Sequence, residues 1–444
     1  MLAVFVILAV VLGIAFLTEQ PGAILALCLS PVFLMVIALQ LGAAIDGAHP
    51  ESAPLPSSFS GRADWPLYTV LVPLRSEARV IAQLCAAMRA LDYPPDALEI
   101  FFLVEPDDPV TVQALYQEQL PAWMTIVVVP PGNPRTKPRA LNHGLALASG
   151  VYVTVYDAED IPDIDQLKLA VHIFETAPPD VICLQAHLAI DNAPDSWFAL
   201  MVCIEYAALF EAIKRGLSRS RLPVALGGTS NHFRRAVLLQ LGGWDAFNVT
   251  EDADLGLRIA RQKGFVQDLP STTLEEAPIR FRSWFGQRRR WMKGWIQTGI
   301  CHSRQPRRAI REMGFINWLA AMGQVFGIVL GSLLFPFFQL WFVWNIWQGS
   351  LLDNSTGLKL ISNSLSVVIF LTGFCAIVIP AIIGLIQRRS WHLVPWLLTY
   401  PFYIMLISLA SFYAIADFMR QPFYWEKTEH GLGRRRPDAF RSRR

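Results

Sequence analysis

Long stretches without any charged side chain constrain this chain more than any other feature. About 20 apolar residues in a helix cross the hydrocarbon core of a bilayer, and each stretch can hold such a helix. The segment from about Gly61 to Gln305 instead has the mixed composition of a globular domain. With 53% hydrophobic and 17% charged residues, the sequence predicts a membrane protein with a globular middle domain. The uncharged stretches are Met1–Thr18, Gln20–Ile45, Met313–Leu352, Leu360–Gln387 and Ser390–Ala416.

The first two stretches predict a helical hairpin that leaves the middle domain on the same side of the membrane as Met1. A cleaved signal peptide is the weaker alternative, because the first stretch has no basic region before it and no clear Ala-x-Ala site after it. Basic residues mark the cytosolic side, and no acidic residue occurs between Ala277 and Arg311. We therefore expect a multi-pass protein of the bacterial inner (plasma) membrane, with the middle domain and both termini cytosolic.

The C-terminal stretches allow more than one path. Met313–Leu352 is long enough for two helices, but two crossings would expel Arg388 and Arg389 from the cytosol, whereas one long or tilted helix keeps them inside. The last stretch contains Pro395 and Pro401, which interrupt a helix. One more crossing there would also expel the basic tail. We expect this last stretch to be re-entrant or interfacial.

Charge and cysteine content exclude other classes of protein. The formal net charge is only +2, whereas nucleic-acid binding requires a basic field over a whole face. We therefore expect no nucleic-acid partner, and the sequence identifies no protein partner. The six cysteines are scattered, without a Cys-x-x-Cys pair, which is typical of buried, reduced thiols.

Short apolar runs alternate with helical stretches in the middle domain. The runs "LYTVLVP", "LEIFFLVE", "MTIVVV" and "VYVTVYD" are typical of strands buried on both faces. With the intervening helices they predict an α/β domain with a mostly parallel sheet. Ligands bind such sheets at the carboxyl ends of the strands. Polar residues stand at these ends, at Arg75 to Glu77, Glu105 to Asp108 and Asp157 to Asp160. No Gly-x-Gly-x-x-Gly or Gly-Lys-Ser/Thr loop occurs.

The fourth strand ends in an acidic cluster, "VYDAEDIPD". Like charges this close repel unless a cation joins them, and carboxylate oxygens suit Mg²⁺ or Mn²⁺ bridging a diphosphate. An acidic loop that caps a helix is the alternative. The position at a strand end favours the metal. The cluster consists of Asp157, Glu159, Asp160 and Asp163.

A second acidic pair, Glu251 and Asp252, follows Thr250 at the predicted start of a helix. Thr250 is a natural N-cap, and the two carboxylates complement the helix dipole, so capping alone can explain them. A carboxylate in such a turn beside a pocket can equally act as a general base. The sequence spacing leaves both roles open.

The stretch "FRSWFGQRRRWMKGWIQTG", Phe281 to Gly299, places arginines among tryptophans. On a helix, Gln287, Arg290 and Trp291 fall on one face and offer an amide, a guanidinium and an indole to a common site. The other cations face elsewhere, in a pattern suited to lipid headgroups. An interfacial membrane helix is the simpler alternative. Near the Gln287 stripe lie Trp284, Gly294, Trp295 and Thr298, and the other cations are Arg288, Arg289 and Lys293.

With these motifs, the chain resembles the processive family 2 glycosyltransferases, which include cellulose, hyaluronan, chitin and curdlan synthases. "DAED" resembles their Asp-x-Asp element, "TED" their catalytic acidic element and "QRRRW" their Gln-x-x-Arg-Trp element, with membrane segments on both sides. The resemblance covers nearly the whole chain and implies a cytosolic, Rossmann-like GT-A domain. The implied regions are a membrane hairpin (1–46), the GT-A domain (60–283), interfacial helices (284–312), a transmembrane and re-entrant region (313–419) and a basic tail (420–444).

The resemblance also implies roles for individual residues. Glu77, Glu105, Asp107 and Lys137 would surround the uridine, and Asp157, Gln287 and Arg290 would lie at the diphosphate. Asp157 and Glu159 would hold Mg²⁺ or Mn²⁺. Asp252, next to Glu251, would be the catalytic base. The acceptor would contact Trp291 and the "GGTSNHF" segment with Thr229, Ser230, Asn231 and His232. "YWEKTEHG" would form a gating segment with Trp425, Lys427 and Thr428.

The implied reaction is inverting transfer of a hexose from a UDP-sugar to a growing β-linked polysaccharide, coupled to its translocation. Transfer of one sugar to a membrane lipid is the alternative, because it would use the same donor site and membrane anchorage. A non-catalytic membrane or binding protein is the third possibility. In two places the chain departs from the family pattern. Glu159 and Glu105 stand where the family has Asp, which keeps the charge but lengthens the side chain.

Overall fold

The computed structural model describes residues 21–49, 62, 64–353 and 355–422. The first predicted membrane stretch, Met1–Thr18, lies outside the described residues. So does the predicted gating segment with Trp425, Lys427 and Thr428.

One eight-stranded sheet forms the centre of the middle domain. Its strands are β1 (Tyr68–Leu74), β2 (Leu98–Val104), β3 (Met124–Val128), β4 (Tyr152–Val155), β5 (Ile161–Pro162), β6 (Val181–Ile190), β7 (Asn231–Arg234) and β8 (Phe265–Glu275). Their order is β3-β2-β1-β4-β7-β6-β8-β5. The first four are parallel, as predicted, but β7 runs antiparallel between β4 and β6. The α/β prediction is confirmed, with a mixed rather than a mostly parallel sheet.

Helices follow most of the strands. They are α1 (Pro21–Gly47), α2 (Ile81–Arg89), α3 (Pro109–Gln117), α4 (Lys137–Leu147), α5 (Gln166–Thr176), α6 (Trp197–Tyr206), α7 (Arg215–Arg219), α8 (Arg235–Gln240), α9 (Glu251–Arg261), α10 (Phe281–Ser303), α11 (Pro306–Met313), α12 (Phe315–Trp347), α13 (Gly357–Gln387) and α14 (Tyr400–Arg420). A π-helical segment, Ala207–Lys214, joins α6 to α7, and a 3₁₀ segment, Trp391–Thr399, precedes α14.

Two apolar layers cover the sheet, one on each face. Val70 and Phe102 point into the layer that contains α2 and α5. Leu71 and Val153 point into the other layer, which contains α4 and α9. Alternate residues of one strand therefore enter opposite layers, which is why the central strands have continuous apolar sequences. The carboxyl ends of the strands stay available to ligands.

Four described helices are long and apolar enough to cross a membrane: Ala26–Gly47, Phe315–Trp347, Gly357–Gln387 and Trp391–Arg420. The stretch that was long enough for two crossings forms one helix of 33 residues, as expected for a single long span. Pro401 lies in the first turn of α14, where a missing N–H costs nothing because it has no partner within the helix. The last apolar stretch is thus divided near its prolines into the 3₁₀ segment, which contains Pro395, and α14, which begins one residue before Pro401.

Close backbone contacts join the membrane helices to the middle domain. A Cβ on Gly47 of α1 would lie 2.0 Å from the carbonyl oxygen of Ala212, and one on Gly216 of α7 would lie 1.7 Å from that of Ala43. Gly384 of α13 meets the carbonyl oxygen of Ala207 in the same way, at 2.2 Å. Any side chain at these glycines would push the helices apart. The π-helical segment is thereby fixed against α1 and α13.

Helix α14 covers the cations of α10 that the sequence assigned to lipid headgroups. Arg289 Nε lies 2.8 Å from a carboxylate oxygen of Asp417, and Lys293 Nζ donates to the carbonyl oxygen of Gln421 at 3.3 Å. The side chain of Arg288 is only 2% exposed. The prediction that these three cations face lipid headgroups is therefore wrong. No local pattern in the sequence could indicate that α14 packs along α10.

Candidate active site

A cavity of about 900 Å³ opens at the carboxyl ends of β1, β2 and β4. It contains most of the polar residues that the sequence singled out, so the structure brings together motifs more than 200 residues apart. In the middle domain and α10 its walls include Glu77, Glu105, Lys137, Asp157, Glu159, Glu251, Asp252, Glu275, Gln287, Arg290 and Trp291.

The ends of β1 and β2 form the wall assigned to the nucleotide. Glu105 accepts two hydrogen bonds from Arg139, each 2.8 Å long, so its carboxylate is held by α4. Asp107 is half-exposed and pairs with Arg135, a cavity residue, but does not itself line the cavity. Glu77 lines the cavity, and its backbone N–H donates to Thr111 at 3.0 Å.

The acidic cluster after β4 divides into two parts. Asp160 and Asp163 turn inward, where Asp160 accepts from Thr229 and Asp163 accepts from the backbone N–H of Thr272. Asp157 and Glu159 line the cavity, and Lys137 Nζ lies 2.5 Å from Asp157 Oδ1. These are the two carboxylates that the sequence assigned to the metal, and that assignment stays a prediction.

These two carboxylates suit a divalent cation that also binds phosphate. In the described part of the chain, no three His, Cys, Asp or Glu side chains are placed to hold a metal by themselves. Mg²⁺, however, is commonly bound by one or two carboxylates together with substrate phosphates. The donor set is oxygen only, and burial with mutual repulsion raises the pKa of neighbouring Glu275 to about 8. A cation would relieve that repulsion, so the residues fit Mg²⁺ or Mn²⁺.

Glu275, the last residue of β8, belongs to this site although no sequence motif marks it. Its pKa is raised by burial and by the charges of Glu159 and Asp157. β8 pairs with β6 and β5, and this pairing brings its end to the cavity. Only the order of strands in the folded sheet shows that Glu275 is a neighbour of Asp157.

The first turn of α9 carries the carboxylates Glu251 and Asp252. Thr250 occupies the N-cap position, but its side chain makes no capping hydrogen bond, and its hydroxyl donates to Asn248 at 3.4 Å. Burial and the neighbouring Asp252 charge raise the pKa of Glu251 to about 7. Burial also raises the pKa of Asp252. A raised pKa makes each carboxylate a better proton acceptor, as a general base must be.

Helix α10 presents Gln287, Arg290 and Trp291 to the cavity, as its helical spacing predicted. Arg288, which the spacing placed on another face, also lines the cavity. Oε1 of Gln287 is buried and has no hydrogen-bond partner among the described residues. Such an atom costs free energy unless a ligand donates to it. Trp284, which the spacing placed near this stripe, is instead fully buried and contacts Tyr403.

A close backbone approach fixes α10 against the start of α9. A Cβ on Gly294 would come within 2.3 Å of the Thr250 side chain. Further along, the side chain of Gln297 accepts from the backbone N–H of Val249 at 3.1 Å. The two helices that carry Asp252 and Arg290 are thus held in one geometry.

Trp291 rests on an ion pair whose arginine is buried. The guanidinium of Arg288 lies over the Trp291 ring and donates to Glu205 of α6 at 2.6 Å. The hydroxyl of Tyr403 donates to the other oxygen of the same carboxylate at 2.7 Å. Three helices therefore meet beneath the indole, and its orientation depends on all of them.

The segment "GGTSNHF" does not supply the predicted acceptor side chains. Gly227 and Gly228 line the cavity, but the four following side chains do not. All four are buried, and β7, which begins at Asn231, lies in the centre of the sheet. Burial lowers the pKa of His232 to about 3. The prediction is therefore wrong for Thr229, Ser230, Asn231 and His232.

Comparison with known families agrees with this geometry. Residues 66–294, more than half of the 444 residues, match the family described as "Glycosyltransferase like family 2". The chain belongs to this family.

The names of the curated relatives differ in the product that they state, and one states none. The chain is 27% identical over 247 residues to a probable glycosyltransferase, YdaM, of Bacillus subtilis, covering 54% of this chain and 58% of YdaM. It is 29% identical over 259 residues to a beta-monoglucosyldiacylglycerol synthase of Synechocystis, which covers 56% of this chain and 52% of that synthase. It is 25% identical over 295 residues to the cellulose synthase catalytic subunit of Komagataeibacter sucrofermentans, which covers 64% of this chain and 37% of that subunit. The chain spans about half the length of the first two.

A solved structure supports the GT-A fold. The mannosyltransferase PcManGT of Pyrobaculum calidifontis, in complex with GDP-Man and Mn²⁺, superposes with a TM-score of 0.51 at 19% identity, covering 88% of this chain and 99% of that one. At this identity the likeness shows the fold alone. The predicted fold class is confirmed.

Proposed function

We propose that the protein transfers a sugar from a nucleoside diphosphate sugar to a hydroxyl group of a membrane lipid, with inversion at the anomeric carbon. The observation that carries this proposal is the continuity of the cavity. The cavity that contains Asp157 and Asp252 also extends between α1, α12, α13 and α14. A water-soluble acceptor would need no such extension.

The lining of this extension suits an acyl chain. Burying a CH₂ group in apolar surroundings is favourable by about 0.8 kcal/mol, whereas sugar hydroxyls would lose hydrogen bonds to water there. The polar side chains are few, namely Gln40, Gln324, Ser332, Gln339 and Tyr400. The apolar lining includes Phe33, Val36, Ile37, Phe335, Phe338, Phe370, Phe374 and Ile404, with Gly331 and Gly373 between them.

The packing of the helices leaves a path for a lipid. α12 packs against α1 and α14, and α1 packs against α13. Among the described helices, α13 and α14 do not form an extended packed pair. A lipid could therefore enter the cavity from the bilayer between α13 and α14.

In the proposed reaction, Asp252 takes the proton of the acceptor hydroxyl as the oxygen attacks the anomeric carbon. Arg290 and Lys137 lie among the same carboxylates and place positive charge near the leaving diphosphate. Mg²⁺ or Mn²⁺ held by Asp157 and Glu159 would add charge neutralisation when bound. We retain UDP as the proposed nucleotide, from the family resemblance.

Relatives support both kinds of acceptor. The Synechocystis relative is named for a glycolipid product, which favours a lipid, while the Komagataeibacter relative is a cellulose synthase. Polymer synthesis is the second candidate because Trp291, on the cavity wall, offers a flat indole on which a sugar ring can stack. The apolar lining weighs against it, because a polysaccharide would have to cross that part of the cavity.

Separating the labelled products by their solubility tests the proposal. Membranes containing the protein are incubated with a panel of radiolabelled UDP-sugars, and the label is separated into solvent-extractable and ethanol-insoluble fractions. Lipid transfer predicts label in the organic phase. Label confined to a long ethanol-insoluble polymer would contradict the lipid proposal, and absence of any UDP release would contradict catalysis.

A cavity-filling variant tests the route. Gly331 lines the extension, and a Cβ at this position would meet no other atom within 4 Å, so Gly331→Phe should fill the cavity. We expect transfer to lipid to fall while UDP release to water persists. Gly42→Phe is the matched control, since Gly42 is equally open but lies outside the cavity on α1. Equal activities of the two variants would contradict the route.

The proposal also concerns how the helices are arranged in the membrane. We propose an integral membrane protein with the catalytic domain cytosolic and α14 interfacial, because α14 is bonded to α10 at both Asp417 and Gln421. Protease treatment of a C-terminal tag in sealed inside-out vesicles tests it. Protection of the tag would show that α14 crosses the membrane.

A further inference from the structure

Lys214 is a buried cation in the cavity that the proposed mechanism does not use. It ends the π-helical segment and lines the cavity. The residue is 8% exposed, and its Nζ lies 4.3 Å from the centre of the Phe210 ring. In the described part of the chain, this ammonium has no hydrogen bond and no ion pair.

A buried ammonium without a partner is costly, and native proteins seldom keep one without a reason. Burial lowers the pKa of Lys214 to about 8, against the opposing charges of Asp252 and Glu275. The group therefore remains largely protonated at pH 7. This positive charge lies in the cavity, and none of the described carboxylates is in contact with it.

Lys214 differs from the donor cations Lys137 and Arg290 in its surroundings. Lys137 contacts Asp157 directly, and Arg290 interacts with Asp157 and Glu159. The neighbours of Lys214 in the chain, Ile213 and Leu217, pack instead with α1. Lys214 thus stands where the carboxylate part of the cavity meets the apolar extension.

We propose that Lys214 binds the anionic headgroup of the acceptor, which is a phospholipid with a free hydroxyl rather than a neutral diacylglycerol. This inference rests on the proposed function. The lipid phosphate supplies the missing counter-ion while its acyl chains fill the extension. The acceptor hydroxyl then lies beside Asp252. Its oxygen bonds to the anomeric carbon, the bond from that carbon to the diphosphate breaks, UDP leaves with the electron pair, and Asp252 takes the proton.

A different role for Lys214 makes a different prediction. If the ammonium only keeps Asp252 ionised, its removal affects every acceptor equally and moves the acid limb of the pH–rate profile. If it binds the headgroup, its removal raises KM for anionic acceptors alone. Lys214→Met keeps the length of the side chain and removes a buried charge, so this variant should fold.

The test uses the full chain in detergent micelles with radiolabelled UDP-sugar and three acceptors: phosphatidylglycerol, diacylglycerol and water-soluble glycerol 3-phosphate. We expect KM for phosphatidylglycerol to be about 10-fold or more below that for diacylglycerol. Lys214→Met should remove that difference, and Lys214→Arg should preserve it. Melting temperatures of both variants check folding.

The outcomes separate this inference from the function on which it rests. Equal KM values for the two lipids, or equal losses with both in Lys214→Met, overturn the headgroup site and leave lipid transfer standing. Glycerol 3-phosphate used as well as phosphatidylglycerol shows that chains are not recognised and overturns the lipid acceptor. Transfer to none of the three overturns both proposals.

Discussion

The guanidinium carbon of Arg288 lies 4.4 Å from the centre of the Trp291 ring. Arg288 is also paired with Glu205, so one buried cation both supports the indole and neutralises a carboxylate. The arginine run in the sequence thus has two functions: Arg290 and Arg288 both line the cavity, and Arg288 also supports the Trp291 ring.

Replacing Arg288 by Met should loosen Trp291 and leave Glu205 without its ion-pair partner. Glu205 is 25% exposed, so the cost should be below the about 3–5 kcal/mol of a fully buried pair. We expect a lower melting temperature and an acceptor KM raised about 10-fold. Nucleotide affinity should change little. Arg289→Met is the control, because Arg289 pairs with Asp417 in a more exposed position and such pairs contribute about 0–1 kcal/mol. Similar effects of both variants would contradict the role of Arg288.

Gly294→Ala should separate α10 from α9. The added Cβ would lie 2.3 Å from Thr250. Such overpacking typically lowers the free energy of unfolding by about 1–3 kcal/mol. Since the shift would move Arg290 relative to Asp252, we expect turnover to fall about 10-fold or more. Gly42→Ala, at an open helical position, should be neutral in the same assay. Normal turnover of Gly294→Ala would show that the contact does not set the site geometry.

Asp252→Asn tests the base. The amide keeps the shape but cannot accept the proton, so transfer should slow by ~10²- to 10⁴-fold with little change in melting temperature or donor affinity. Because burial raises the pKa of Asp252, turnover of the unaltered protein should also decline as the pH falls and the carboxylate becomes protonated. Glu251→Gln, at the adjacent carboxylate, distinguishes the two residues. A larger loss in Glu251→Gln than in Asp252→Asn would transfer the role of base to Glu251.

Metal removal should stop the reaction. Asp157 and Glu159 line the cavity with oxygen ligands only, and a metal that neutralises a diphosphate contributes several kcal/mol, so excess chelator should reduce turnover about 100-fold or more. Mg²⁺ or Mn²⁺ should restore activity, and Asp157→Asn should require more metal for half-maximal rate. Full turnover in chelator would remove the metal from the mechanism.

His187 should make stability depend on pH. Its ring nitrogens lie 2.9 Å from Glu211 and 2.8 Å from Asp268; although burial opposes the charge, these carboxylates raise the pKa of His187 to about 9. The charged form stabilises the fold fully below about pH 6.5, the ordinary value, and this contribution is lost as the pH rises through about 9. Melting temperature should therefore decline between these values.

His187→Gln should flatten this dependence, while His143→Gln on α4 should leave it unchanged. Arg215 and Arg388 also contact the same two carboxylates and keep their charge throughout the range. An identical pH dependence in His187→Gln and the unaltered protein would contradict the assignment.

The strand ends could be predicted from the sequence because each is a local signal. Asp157 and Glu159 directly follow an apolar run, and the helical spacing correctly placed Gln287, Arg290 and Trp291 on one face. The antiparallel insertion of β7 could not be predicted, because strand order depends on contacts between distant segments. For the same reason the sequence misplaced Asn231 and missed Glu275. Lys214 was missed because a π-helical turn, not a motif, directs it into the cavity.

The three glycine contacts between the membrane helices and the middle domain have a practical consequence for anyone who wishes to shorten this chain. Gly47 and Gly384 place α1 and α13 directly on the backbone of the π-helical segment. Cutting away the membrane helices would expose that backbone and its apolar surroundings to water. A truncated catalytic domain should therefore aggregate or lose the geometry around Lys214, and biochemical work on this enzyme should retain its hydrophobic ends in a detergent or lipid environment.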